Sequence, residues 1–191
     1  MCGVRALLIL VAFSSVASAD SWTEVGLARS QVDMGDGHTV QGYSVQFSPR
    51  FNLGKAFYAG AELDGGRISG DIATPQVFRV NGGEMAPTST VTGEAYAIAA
   101  LIGVRLRAGV ISGGSELVAG FHRAELRDAN TLELATIESD TPMLQGRARL
   151  DLWVSPQLSV GGVVGVELDD PKAMMAGVMV GLHFAPYDGM R

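Results

Sequence analysis

The sequence predicts an all-β fold: an eight-stranded antiparallel up-and-down β-barrel built to cross a membrane. Three observations predict it. Apolar and polar residues alternate over segments of about ten residues, which is the strand period and the length a tilted strand needs to cross a hydrocarbon layer. Eight such segments occur, an even number. Hydrophobic residues make up 47% of the 191-residue chain, yet beyond the N-terminal segment no stretch offers the roughly 18 uninterrupted apolar residues of a spanning helix. Glycine supplies 25 residues, about twice ordinary usage, and only two residues are lysine, Lys55 and Lys172. The composition favours strands and turns.

The segments follow in order. Residues 1–19 carry Arg5 as a basic start, the apolar run ALLILVAF (6–13) and the small-x-small end Ala17-Ser18-Ala19, the pattern of a secretory signal peptide cleaved before Asp20. Residues 20–191 then form one barrel domain. Cys2, the single cysteine, falls in the removed segment, so the mature chain has no thiol chemistry; loss of Arg5 takes the formal charge from −6 to −7. Such an acidic export product is not a nucleic-acid binder, because that binding rests on concentrated Lys and Arg.

The first strand is WTEVGLARSQ (22–31), closed by the loop DMGDGHT (33–39). The second, VQGYSVQFSPRF (40–51), sets Tyr43, Val45 and Phe47 against Ser44, Gln46 and Ser48. A tight turn, NLGK (52–55), leads to AFYAGAELD (56–64). A connection over 65–90, rich in Gly, Pro and Thr, has the length of a functional loop. EAYAIAALIGVRLR (94–107) reads as a strand, because GVRLR continues the alternation and Gly103 weakens a helix. AGVISGGS (108–115) reads as a turn, ELVAGFHRAEL (116–126) as a strand, and 127–142 as a second long polar loop. MLQGRARLDLWV (143–154), the turn Ser155-Pro156-Gln157, LSVGGVVGVEL (158–168), the loop DDPK (169–172) and AMMAGVMVGLHF (173–184) complete the set. Every second connection is tight, and the two long ones share the opposite end.

One face of each strand collects uncharged residues: Val25, Leu27, Val45, Phe57, Leu63, Ile98, Ile102, Leu117, Phe121, Leu144, Leu150, Leu152, Val160, Val164, Val178, Val180 and Leu182 among them. The other collects Glu24, Gln46, Tyr58, Glu62, Asp64, Glu116, His122, Gln145, Arg147, Arg149, Asp151, Glu167 and His183. Volume decides which is inside. Eight strands enclose a space just wide enough for side chains or one small ligand, too narrow for the whole aliphatic set. The aliphatic face therefore points outward to lipid, and the charges fill the lumen. Isolated charges there cost several kcal/mol, so a paired network is expected among Glu62, Asp64, Glu116, His122, Arg147, Arg149, Asp151 and Glu167. The structural reading of such a network is a plugged interior, and the functional reading is a narrow polar pore; eight strands rarely leave a continuous channel, which favours the plug.

On strand count, alternation, loop asymmetry and the export signal, residues 20–184 resemble the small eight-stranded outer-membrane β-barrel proteins, the OmpA-transmembrane-domain and OmpX type. The resemblance is architectural and singles out no subfamily. It implies an outer-membrane location in a Gram-negative-type cell, short periplasmic turns, external loops at 65–90 and 127–142, outer-membrane lipid as surroundings, and the barrel-assembly machinery as a partner during biogenesis. Phe184 would be the terminal aromatic that this machinery reads, although seven residues follow it. Interfacial aromatic girdles would draw on Trp22, Tyr43, Phe47, Phe57, Tyr96, Phe121, Trp153 and Phe184. The competing reading is a soluble periplasmic or secreted, lipocalin-like barrel with the aliphatic face inward around an apolar ligand. A third is a lipid-modifying enzyme using His122, for which the sequence offers no nucleophile motif.

No catalytic, cofactor or metal site is expected. His38, His122 and His183 lack metal-ligand spacing. GGVVGVE (161–167) has no Lys and no following helix, so it is not a phosphate loop. Asp33, Asp36, Asp169 and Asp170 read as solvated turn residues.

Overall fold

The computed structural model describes residues 21–35, 38–73, 78–80, 83–85, 88–128 and 137–184. The segment 1–19 lies outside them. Ten strands appear in chain order: β1 Ser21–Gly35, β2 His38–Asn52, β3 Phe57–Ala73, β4 Phe78–Val80, β5 Gly83–Met85, β6 Thr88–Ala108, β7 Ile111–Asp128, β8 Ile137–Ser155, β9 Leu158–Glu167 and β10 Met174–His183. Eight of them close into a barrel in the order β1-β10-β9-β8-β7-β6-β3-β2, and β4 and β5 form a separate two-stranded piece. All neighbouring pairs are antiparallel. Followed once round the wall, these registers return to β1 displaced by ten residues. This stagger tilts the strands and fixes a narrow interior.

The faces sort as alternation requires. The aliphatic side chains point out of the barrel, with Leu27, Phe121 and Leu150 at 68%, 66% and 62% exposure, while Glu24, Glu62, Glu116, Arg147, Arg149 and Asp151 are buried inside. The inward arrangement of a soluble apolar-ligand carrier is thereby overturned. β9 and β10 have 10 residues each, and their outer faces are apolar throughout, the height of a hydrocarbon layer for a tilted strand. β3, β6, β7 and β8 run 17 to 21 residues. One side of the wall is therefore taller, and all of its extra height lies at the end opposite the turns 53–56, 109–110 and 156–157.

The strands are longer than the sequence suggests. The connection expected over 65–90 is strand to Ala73, holds the β4–β5 hairpin, and is strand again from Thr88. Of the loop expected over 127–142, residues 127–128 and 137–142 are strand and 129–136 lie outside the described residues; of the loop expected over 33–39, residues 33–35 and 38–39 are strand. The turn expected at 108–115 is confined to the residues after Ala108, with Gly109 at φ 62°. The cause is glycine used for closeness and not for turning. A Cβ on Gly66 would fall 2.1 Å from the Tyr43 carbonyl oxygen, and one on Gly114 2.2 Å from that of Val104. In each case the neighbouring strand fits only against a bare backbone.

Candidate functional site

The lumen holds the buried charged side chains. On β8 the residues Arg147, Arg149 and Asp151 stand at alternate positions, so all three enter the lumen. β8 is three strands away from β1 in one direction and from β3 in the other, and its arginines reach across to both. Arg149 forks onto Glu24 of β1 at 3.0 and 2.5 Å, and also donates to Glu116 at 2.7 Å and to Asp151 at 2.8 and 3.1 Å. Arg147 forks onto Glu62 of β3 at 2.7 and 2.8 Å and donates to Gln145 Oε1. Arg50 of β2 forms the third crossing, to Glu116 of β7, and lies 3.0 Å from Glu24. Bidentate guanidinium–carboxylate pairs are the strongest of these contacts and fix both partners' geometry.

Neutral donors finish the carboxylates. Tyr58 Oη donates to Glu116 at 2.5 Å and Trp22 Nε1 to Glu24 at 2.8 Å. A Cβ on Gly103 would fall 2.4 Å from the Tyr58 ring, so this glycine makes room for the phenol beneath the network. Four buried carboxylates (Glu24, Glu62, Glu116, Asp151) face three buried guanidiniums (Arg50, Arg147, Arg149). A further guanidinium, Arg105, lies 4.1 Å over the Trp22 ring. Trp153 stacks near His183, with centroids 4.1 Å apart, and Arg107 lies 3.8 Å over Trp153. This layer of rings and guanidiniums lies at the turn end of the lumen.

Toward the opposite end the lining becomes small: Ala28, Gly66, Ala95, Ala97 and Gly120 follow the network along their strands. Here the remaining expected residues sit apart from the salt bridges. Asp64 is half-buried and accepts from Ser44 at 3.0 Å and Gln46 at 2.9 Å. Glu167 faces Gln145 at 3.5 Å. His122 is half-buried on β7. The expected set thus divides: Glu62, Glu116, Arg147, Arg149 and Asp151 belong to the bridged layer, and Asp64, His122 and Glu167 line the lumen above it.

Arg50, Arg105 and Arg107 were absent from the expected set, although each continues an inward period, Arg50 after Ser44, Gln46 and Ser48. Trp22 and Trp153 are corrections. Expected in outer girdles, they are 1% and 5% exposed inside the lumen, two positions from Glu24 and Asp151. His122 and His183 lie toward opposite ends of the lumen, and the side chain of His38 is outside the described residues.

Neisserial surface protein A has a TM-score of 0.57 with 10% sequence identity, the match covering 85% of this chain and 96% of that one. The fold is that of the small eight-stranded outer-membrane barrels. Ail, the attachment invasion locus protein of Yersinia pestis, matches with a TM-score of 0.51 and 15% identity, over 86% of this chain and 96% of that one. No protein-family model and no curated protein matches the chain. These low identities carry the architecture alone.

Proposed function

We propose that the protein is a non-enzymatic integral barrel of an outer membrane, with a plugged polar lumen and with its working surface in the segments 65–90 and 127–142. One observation carries this reading. The aliphatic face points outward all round the wall, while the lumen is crossed by three arginine–carboxylate bridges. In water the first feature exposes far more contiguous apolar surface than a soluble monomer carries; in lipid it is the required solution. The bridges that meet at Arg149 support the reading of a plugged lumen. The tall β3–β6–β7–β8 side supports the reading of 65–90 and 127–142 as the external segments. Export by residues 1–19 with cleavage after Ala19 completes the assignment.

Orientation is testable with single cysteines, since Cys2 is the only native one. Asp169→Cys, in an exposed turn at the proposed external end, is expected to react with a membrane-impermeant maleimide on intact cells. Lys55→Cys, in the tight turn at the other end, is expected to react only after permeabilisation. The reverse pattern overturns the orientation. Equal labelling of both in a soluble fraction overturns the membrane assignment.

A further inference from the structure

Beyond the bridged layer, away from the tight turns, the lumen changes character. Asp64, Ala97, Gly120, His122 and Glu167 all face inward, yet each is only partly buried, so open space separates them. Two carboxylates, Asp64 of β3 and Glu167 of β9, stand on opposite walls, four strands apart in a ring of eight. Their heights agree. From Asp64 the paired row passes Gln46, Gly26 and Met179 and reaches β9 at Gly161; Glu167 lies six residues further along, and half of the ten-residue stagger accounts for five of them. Neither acid has a basic neighbour in register, since Gln46 and Ala97 flank Asp64 and Gln145 flanks Glu167. Arg147, one step nearer the turns, is forked onto Glu62. One base, His122 of β7, faces the same space, and the two carboxylates outnumber it.

A second, independent observation says what chemistry fits. Gln46 is 1% exposed. Its amide nitrogen donates to Asp64 Oδ2 at 2.9 Å, where the Ser44 hydroxyl also donates. An ionised carboxylate only accepts, so this contact fixes which way round the amide sits. Gln46 Oε1 is then left with no donor among the described residues, a costly state for a buried acceptor. The Asp64 carboxylate and Gln46 Oε1 together call for a group that carries several hydrogens and no lone pair, which is an ammonium. Between Asp64 and Glu167 the side walls are apolar, with Ala97, Ala99 and Gly120 on one side and Ala28 and Met175 on the other.

We propose that this half of the lumen binds a short linear diamine as its dication, one ammonium on Asp64 and Gln46 Oε1, the other on Glu167, with the methylenes along the alanines. A single metal ion does not match the layout. Calcium holds its oxygens at about 2.3 to 2.6 Å, so one ion cannot reach carboxylates on opposite walls. The site lies beyond the bridged layer and does not depend on which end of the barrel faces outward.

The test is calorimetric titration of the full chain, folded in detergent and verified by its heat-shifted band, with 1,2-diaminoethane, 1,4-diaminobutane, butylamine and calcium chloride. The wild type is expected to bind the better diamine about tenfold more tightly than butylamine, because the second ammonium gains the second carboxylate. Asp64→Asn and Glu167→Gln are each expected to weaken diamine binding about tenfold. Ala97→Leu, which keeps both carboxylates and fills the space between them, is expected to weaken it as well. Glu125→Gln, which removes the same charge from the outer face, is expected to bind as the wild type does. A folded wild type that binds neither diamine overturns the proposal, as does equal affinity for butylamine or full retention of binding in a folded Asp64→Asn/Glu167→Gln variant. Calcium binding tighter than either diamine and lost in those variants overturns it in favour of a metal site.

Discussion

Leu150→Arg is expected to abolish assembly into a membrane, whereas the same change at Leu168 leaves it nearly intact. Leu150 points outward at 62% exposure from within the apolar band, and Leu168 at 52% follows the end of β9 at the rim. An arginine facing lipid near the bilayer midplane costs about 2 to 4 kcal/mol, falling to about 0 to 1 kcal/mol near the interface. That difference is a large share of a barrel's marginal stability. The measurement is the folded fraction of each variant after refolding into vesicles, read by protease resistance and gel migration. Equal folding of the two variants contradicts a lipid-facing Leu150.

Arg149→Leu carries the second large effect, from the opposite face. This guanidinium makes contacts to Glu24, Glu116 and Asp151, all buried. Its removal leaves carboxylates in the lumen with too few partners, Arg50 alone still reaching both Glu24 and Glu116. Breaking a buried pair from one side costs about 3 to 5 kcal/mol. The expected result is a lower urea midpoint in detergent, followed by the fluorescence of Trp22 and Trp153, which both sit in the lumen. Adding Asp151→Asn to Arg149→Leu removes one stranded charge and is expected to restore part of the loss. An unchanged midpoint for Arg149→Leu contradicts a structural role for the network.

Much of this was legible along the chain because a strand's period is two. In residues 145–151 the inward Gln145, Arg147, Arg149 and Asp151 and the outward Gly146, Ala148 and Leu150 fall where alternation puts them, and barrel volume decides which set is inside. Glycine was ambiguous, since Gly65-Gly66 and Gly113-Gly114 look like turns in a sequence, yet all four lie in strands and Gly66 and Gly114 serve close strand contact in the wall. The cross-lumen partners were not legible. Arg149 meets Glu24 across 125 positions, and only the closure of β1 on β10 and the stagger of the wall bring them to one level. Trp22 and Trp153 show how one rule misleads against another. Their size suggested an interface girdle, while their period, shared with Glu24 and Asp151, placed them inside.

The central claim is a barrel whose aliphatic face meets lipid. Its most direct test is fractionation of cells expressing the full chain, followed by gel migration of the detergent-extracted protein with and without heating. The account predicts recovery with the outer membrane and a band that migrates differently after boiling, as a closed barrel opens. Recovery as a soluble periplasmic species with heat-insensitive migration would contradict it.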